Sequence, residues 1–543
     1  MPVWTDLWEG KTIGLALTEA CNRFGSKEAI VFENETVTYD QLQEISGLVA
    51  RGLLAAGIKK GDAVAIWLAG YAEWAYLYYA AARIGAVMVP VNTRYKTFEV
   101  KHVLNKSKAR FLVFKNDDPK ASGYYGTLRE LCPKLETVLP GSLVSESLPY
   151  LTHVVAIGEK PSPGCLSYKD FMEAGLTFPI EALAQAEAEV TAEDDALIQF
   201  TSGTTALPKG ALLYQNAMLR GAYYTSHAMG VSEKDRFFSP QPFYHVGGSI
   251  MVMLAPVVIG CTVVVQSYFD PAGALRTMEE NRCTVTMGHQ PHWIEYLNHP
   301  DIKRRKLILE RAAIFAPSEI RKRVYEELGI QVLVSPYGLT ETHLGGCSCT
   351  FDDSVEKCFK TVGKCEPGLE LGIRNPEVGK LLPQGETGEV CFRGWCVMRG
   401  YYDDQEKTAE TVDREGWLRT GDLGVVDPDG YLRLVGRIKD MIRVGGENVA
   451  AADVETFLLE HENVKQAVVV GMPEQRLGEV VVAFVELKTG VEATEDEIIS
   501  YCRKGLASFK VPRKVIFVKT WPMSGTGKIQ KIALQESISA IGD

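Results

Sequence analysis

Residues 201–210, TSGTTALPKG, bring hydroxyls, a glycine and a lysine together directly after the apolar run 196–200. The hydroxyls of Thr201, Ser202, Thr204 and Thr205 donate to phosphate oxygens, Gly203 lets backbone N–H groups turn inward without a Cβ in the way, and Lys209 adds a point charge. This is a phosphate-handling loop at a strand end. It is not a Walker loop, which needs glycine before the lysine and Ser or Thr after it; here Pro208 precedes Lys209 and Gly210 follows. Taken alone, the same residue types also write an ordinary polar connection.

Further segments follow in order: PQPFYHVGG (240–248), YGLTE (337–341), TGD (420–422), GRIKDMIRVGGENV (436–449) and SGTGKIQK (524–531). With the first loop they resemble the adenylate-forming superfamily of acyl-CoA synthetases, luciferases and peptide-synthetase adenylation domains, over nearly the whole chain. Within it the chain is most similar to AMP-forming fatty-acyl-CoA synthetases, through GWCVMRGYY (394–402) and SFKVPRKVIFV (508–518), while GGENVAAADVE (445–455) is similar to carnitine-type CoA ligases.

The activity this resemblance implies drives a carboxylate onto the α-phosphate of ATP, so two anions must meet. Unit charges about 4 Å apart at an effective dielectric of about 20 repel by about 4 kcal/mol, and cations must bracket the reacting centre. By resemblance, Glu341 recruits Mg²⁺, with Thr204 as a second metal contact; hard oxygen ligands suit that ion. Lys209 holds the β/γ end of ATP, and Lys528 reaches the carboxylate and α-phosphate together. Thr201 to Thr205 and Gly338 join the ATP site, Tyr337 supplies a flat face for adenine, and Thr340 a hydroxyl for the α-phosphate. Asp422 has lone pairs enough to accept both ribose hydroxyls, and Arg437 adds a second ribose contact. In isolation Asp422 reads as a helix cap and Arg437 as a surface ion pair; the ordered context favours the site. His245 stands beside the acyl carboxylate, although a histidine on an apolar segment also suits a core. For the second half-reaction with coenzyme A, Gly445 and Gly446 present no side chain where pantetheine would run, or else form a tight turn. Phe509, Lys510 and Arg513 meet the CoA nucleotide.

Departures from the pattern bear on the substrate. Ala206 stands where the loop usually carries glycine, and Asn448 with AAADVE differs from the proline-containing version common in fatty-acid enzymes. Residues 314–317 read IFAP where many relatives have glycines, so Ile314 and Phe315 would narrow the acyl pocket. A medium- or long-chain fatty acid is the first expectation; a carnitine-like, aromatic or steroid acid, or transfer to a carrier protein, is the alternative. The GGEN segment favours CoA, and Arg443 stands where luciferases usually place a lysine. A silent nucleotide or CoA sensor on the same fold would have no chemical need for Lys209, Glu341, Asp422 and Lys528 together.

The elements that position these groups alternate between strand and helix. Apolar runs at 63–68 and 86–91 flank a helical stretch at 73–84; runs at 262–266 and 283–287 flank a helix after Pro271; and a helix at 319–328 leads into a run at 330–334. The fold class is therefore α/β, with mainly parallel, helix-covered sheets whose ligands bind beyond the strand ends. After Gly436 the pattern becomes a compact α+β unit, with strand-like runs at 467–470, 480–487 and 514–518 around a helix at 495–507. The expected domains are 1–438, holding the ATP and acyl sites, and 439–543, a lid carrying the catalytic lysine; by resemblance Lys439 is the hinge.

At 543 residues the chain exceeds one ordinary core, and its 46% hydrophobic and 23% charged residues describe a globular protein. A net charge of -11 disfavours a nucleic-acid partner and leaves anionic substrates to local cations. The basic run 303–306 reads as a solvated helix face. Twelve cysteines without a C-x-x-C pair read as reduced thiols, with Cys347, Cys349, Cys358 and Cys365 packing rather than binding zinc, and the same holds for His289 and His292. No signal peptide opens the chain, and the apolar segment 250–265, broken by Pro256 and Gly260, is too short to span a bilayer. The expectation is a cytoplasmic protein whose partners are small molecules; a homodimer is compatible with it.

Overall fold

The computed structural model describes residues 7–33, 35–118, 120, 123–160, 162–201, 207–445, 447–523 and 529–541. The described residues form two large sheets that are parallel except near their edges. One has eight strands in the spatial order 400–401, 209–214, 195–201, 87–90, 63–67, 111–115, 153–157, 166–167; the other has seven, in the order 332–334, 311–315, 285–289, 236–239, 262–265, 28–31, 36–38. Parallel strands covered on both faces need apolar side chains at every position, not at alternate ones. Ala63–Trp67 meets that condition and is buried throughout. Its Val64 and Ile66 join the core between the two sheets, while Ala63, Ala65 and Trp67 join a second core on the outer face. A third core covers the far face of the other sheet through Phe238, Val264, Ala312 and Ile314. Helices Ile13–Phe24, Tyr39–Ala55, Ala72–Arg83 and Gln215–Ala228 fill the layer between the sheets.

Local chemistry fixes the helix ends. Thr38 and Gln41 form a reciprocal capping box on Tyr39–Ala55, and Asp270 caps Pro271–Glu280, whose proline occupies a position where no N–H is needed. The expected apolar segment 250–265 is a buried helix running into the strand Thr262–Val265. The run 303–306 differs from expectation. It lies in a turn held by Arg304 and Arg305 N–H bonds to the Asp301 carbonyl, and Arg305 reaches Glu279 at 2.9 Å. Pro300, which lacks an N–H, precedes this turn, so the charges sit on a connection and not on a helix face.

Two smaller sheets follow. Tyr337–Gly338, Gly346–Ser348 and Lys364–Cys365 form one; Leu369–Arg374, Gly388–Gly394, Leu418–Val426 and Leu432–Arg437 form an antiparallel other. The C-terminal domain is built on its own sheet of Met441–Val444, Glu447–Ala450, Val464–Glu474, Gly478–Leu487 and Lys514–Phe517, with helices Ala451–Leu459 and Glu495–Gly505 against it.

Candidate active site

Beyond the strand ends lies a cavity of about 1350 Å³, walled by both large sheets, the antiparallel sheet and the C-terminal domain. Thr201 and Lys209 reach it from opposite strands of one hairpin, in which they are direct partners. Lys209 Nζ stands 5.4 Å above the ring of Tyr401, and the Tyr401 hydroxyl donates to Glu341 Oε1 at 2.8 Å. Burial, reinforced by the Glu341 charge, raises the Tyr401 pKa, so its proton stays in place as the donor. Strand Gly400–Tyr401 pairs with the lysine-bearing strand at Tyr401 and Ala211, and the Met398 N–H donates to the Glu341 carbonyl at 2.9 Å. A cation and a carboxylate are thus set on the cavity wall by the same two neighbouring segments. Gly338, Leu339 and Thr340 line the wall beside Glu341.

Tyr337 and Asp422 do not line this wall. Each is less than a tenth exposed, and the Tyr337 hydroxyl donates to Asp422 Oδ2 at 2.7 Å. Arg437 Nε donates to the other oxygen at 2.5 Å, across the strand pair in which Asp422 and Arg437 are partners. Burial, then the Asp422 charge, raises the Tyr337 pKa well above its usual value. The ring packs against Phe392 with centroids 6.0 Å apart, so the face expected to meet adenine is turned into the core in this arrangement. Arg437 itself lines the cavity, as do Thr420 and Gly421.

Aromatic residues also line the cavity. Segment 240–247 supplies Phe243, Tyr244 and His245, with the His245 ring 5.0 Å from Tyr244 edge to face. The close fold of this segment explains its second glycine: a Cβ on Gly248 would stand 2.3 Å from the Pro242 carbonyl oxygen. Phe315 lines the pocket as expected, but Ile314 does not. Strand Arg311–Phe315 turns alternate side chains to opposite faces, and Ile314 is fully buried in the outer core. His289 and His292, expected to pack rather than bind a metal, do pack, and both also line the cavity. The His289 N–H donates to His292 Nδ1 at 3.1 Å, the His289 ring lies 4.9 Å from Phe315, and the His292 ring 4.7 Å from Phe269. Burial lowers the His292 pKa to about 4, which leaves a neutral ring on an aromatic wall.

The C-terminal domain closes one side through Glu455, Gln466, Ala467, Val468, Met523, Ile529 and Lys531. Met523 and Ile529 are bridged to each other, and Lys531 Nζ is fixed 2.8 Å from Glu455 and 3.8 Å from Asp440. Lys439, on the one-turn helix Ile438–Asp440, is exposed and also lines the cavity. Ser202, Gly203, Thr204, Thr205, Gly446 and Lys528 lie outside the described residues. Gly445 is in a hairpin turn with φ +59 and is not on the cavity wall, nor are Phe509, Lys510 and Arg513. Lys510 is paired with Asp453 at 2.6 Å, and the Arg513 N–H serves the C-terminal sheet by donating to Val481. Among the described residues no group of three or more His, Cys, Asp or Glu side chains could hold a metal ion, and no helix is long and apolar enough to cross a membrane.

Hairpin cation, tyrosine-held glutamate and aromatic arm belong to a known architecture. The family model described as AMP-binding enzyme matches residues 17–402, and that of the AMP-binding enzyme C-terminal domain matches residues 453–528. YngI of Bacillus subtilis (strain 168), assigned by name to the acyl-CoA synthetases, is 36% identical over 531 residues, covering 97% of this chain and 96% of that protein. The mitochondrial medium-chain acyl-CoA ligase ACSF2 of Danio rerio is 36% identical over 538 residues, covering 97% and 88%. Among solved structures, the anthranilate CoA ligase AuaEII in complex with anthranoyl-AMP superimposes with a TM-score of 0.86 at 25% identity, covering 100% of this chain and 99% of that one. The chain belongs to the AMP-binding enzyme family. Its similarity is to acyl-CoA synthetases and ligases, as the ordered motifs implied.

Proposed function

We propose that this protein is an AMP-forming acyl-CoA synthetase for a medium-chain fatty acid: acid plus ATP gives acyl-adenylate and diphosphate, and CoA then displaces AMP. The observation that carries this reading is one cavity whose wall carries both the charged groups Lys209, Glu341 and Arg437 and the aromatic rings of Tyr244, Phe269 and Phe315. Cations and a carboxylate suit a nucleotide triphosphate, and an aromatic arm suits an acyl chain. Glu341, an oxygen donor on the wall beside Lys209, fits Mg²⁺, which commonly binds through one or two carboxylates together with substrate phosphates. That ion would neutralise charge on the polyphosphate. The chain's own groups do the rest: Lys209 holds the phosphate end, Thr340 offers a hydroxyl to the α-phosphate, and Arg437, on the cavity wall, meets the ribose, with Asp422 holding Arg437 from behind until the Tyr337–Asp422 bond gives way to the ribose hydroxyls. His245 borders the acyl carboxylate. Lys528 is assigned to the reacting centre, and its chain neighbour Ile529 lines the cavity.

The C-terminal domain is proposed to pivot about Lys439, bringing Gly445, Gly446, Phe509, Lys510 and Arg513 to CoA for the second half-reaction. Gly445, Phe509, Lys510 and Arg513 do not line the cavity, which fits an arrangement suited to the first. All twelve cysteines are free, which supports a reducing compartment such as the cytoplasm.

A second reading, an aromatic acid, is favoured by His289 and His292 on the wall of the acyl arm and by the similarity to an anthranilate CoA ligase. A panel of straight-chain and aromatic acids with ATP, Mg²⁺ and CoA separates the two. Medium-chain thioesters formed in equal amounts with AMP and diphosphate support the first; aryl thioesters alone support the second. Phe315→Ala should shift preference toward longer chains. A methylene in an apolar pocket is worth about 1 to 3 kcal/mol, so the ratio of kcat/KM for a longer against a medium chain should rise by roughly tenfold or more. An unchanged ratio would remove Phe315 from the acyl arm.

A further inference from the structure

Two residues after Glu341 the backbone enters the left-handed region twice in succession, at His343 (φ 52) and Leu344 (φ 67). Among the described residues this is the one place where two adjacent non-glycine residues do so. Such backbone persists only where its surroundings over-determine it, and here they do. The His343 carbonyl oxygen sits where a Cβ on Gly221 would approach to 2.0 Å, and the Leu344 carbonyl oxygen where a Cβ on Gly338 would approach to 2.5 Å.

The His343 side chain is fully buried and clamped at both nitrogens. Nε2 accepts the Tyr214 N–H at 3.1 Å, and Nδ1 stands 2.7 Å from the Cys396 carbonyl oxygen, which can only accept, so Nδ1 carries the hydrogen. The two backbone groups it joins lead directly to the site. Tyr214 ends the strand that Lys209 begins, and Cys396 lies in the segment whose Met398 N–H and Tyr401 hydroxyl hold Glu341. Nothing in the motif pattern gives His343 a role.

We propose that His343 is a positioning residue: it locks the turn bearing Thr340 and Glu341 to the strand bearing Lys209 and to the segment bearing Tyr401, so that phosphate cation and carboxylate keep one spacing. This rests on the reading of Glu341 and Lys209 as ATP-site groups. A buried histidine that served only stability would, when removed, lower both half-reactions in proportion to the protein lost to unfolding.

Four measurements on the full chain distinguish these cases: ATP–diphosphate exchange, thioester formation from supplied acyl-adenylate and CoA, calorimetric binding of ATP without Mg²⁺, and thermal unfolding. His343→Ala should lower exchange roughly tenfold to a hundredfold, the scale of an ångström-sized misplacement. It should also weaken metal-free ATP binding and leave thioester formation, per folded molecule, within about twofold. His343→Gln, which keeps a donor and an acceptor at similar reach, should recover most of the exchange. Equal loss of both half-reactions, or exchange unaltered in the folded His343→Ala protein, would overturn the proposal. Glu341→Gln serves as the control: if it leaves exchange intact, the assignment of Glu341 fails, whereas its loss together with unselective behaviour of His343→Ala isolates the failure to His343.

Discussion

Lys528→Ala lowers acyl-adenylate formation by about a hundredfold and leaves thioester formation from supplied acyl-adenylate near the wild-type rate. The first step joins two anions in a protein of net charge -11, so stabilisation must come from cations placed at the bond being made. A group that acts on charge developing in the transition state contributes on the order of 3 kcal/mol, the free-energy equivalent of that hundredfold. The residues flanking Lys528 are well anchored, since the Met523–Ile529 bridge borders the cavity and Lys531 is tied to Glu455 and Asp440. A neutral side chain leaves the repulsion uncompensated, while CoA attack on a preformed adenylate has no such requirement. Single-turnover diphosphate release reads the first step and thioester absorbance the second. A mutant in which both steps slow equally would mean that the lysine does not act at the adenylation centre.

Glu366→Gln makes the protein more stable at alkaline pH and indifferent to the change at acidic pH. Glu366 is buried beside the strand Lys364–Cys365, and its Oε2 accepts the Gly346 N–H at 3.1 Å. Burial raises its pKa to about 8 from an ordinary value of 4.5, a cost that one backbone hydrogen bond only partly offsets. Because the folded carboxyl holds its proton after the unfolded one has released it, stability is fully present below about pH 4.5 and is lost as pH rises through about 8. A shift of this size corresponds to about 5 kcal/mol at pH 9. Glutamine keeps the acceptor for Gly346 and has no proton to lose. Urea unfolding between pH 5 and 9 should therefore show the variant's midpoint overtaking the wild type's as pH rises. Parallel profiles would mean that Glu366 finds a charged partner or water when ionised.

What the sequence disclosed and what it withheld follow from the physics of each element. Runs such as 63–68 and 262–266 were legible because strands covered on both faces must be apolar throughout, and the intervening helices carry their own caps. The motif segments were legible as a set, and Thr201, Lys209, Thr340, Glu341 and Arg437 do border one cavity. Adjacent residues on a strand face opposite ways, however, so reading Ile314 and Phe315 together as pocket residues failed for the first: no apolar pattern states which face a two-sided strand gives to the ligand. His289 and His292 do pack against aromatic rings, but that their packing lies on the cavity wall follows from the strand end at Val285–His289 opening there, a fact of tertiary placement. Tyr401 stood inside the quoted segment 394–402, and its place four residues after Val397 gives no hint of Glu341, about 60 positions earlier, as its partner. The clasp of Tyr337, Asp422 and Arg437 likewise joins three segments whose residue types were noted but whose contact with one another was not.

The central claim is that the carboxylate attacks the α-phosphorus of ATP, and an acid labelled with ¹⁸O in both carboxylate oxygens tests it directly. After turnover with ATP, Mg²⁺ and CoA, the account predicts one ¹⁸O in AMP, one in the thioester carbonyl and none in diphosphate, read by mass spectrometry. Label in diphosphate or orthophosphate, or unlabelled AMP beside labelled thioester, would contradict an acyl-adenylate route.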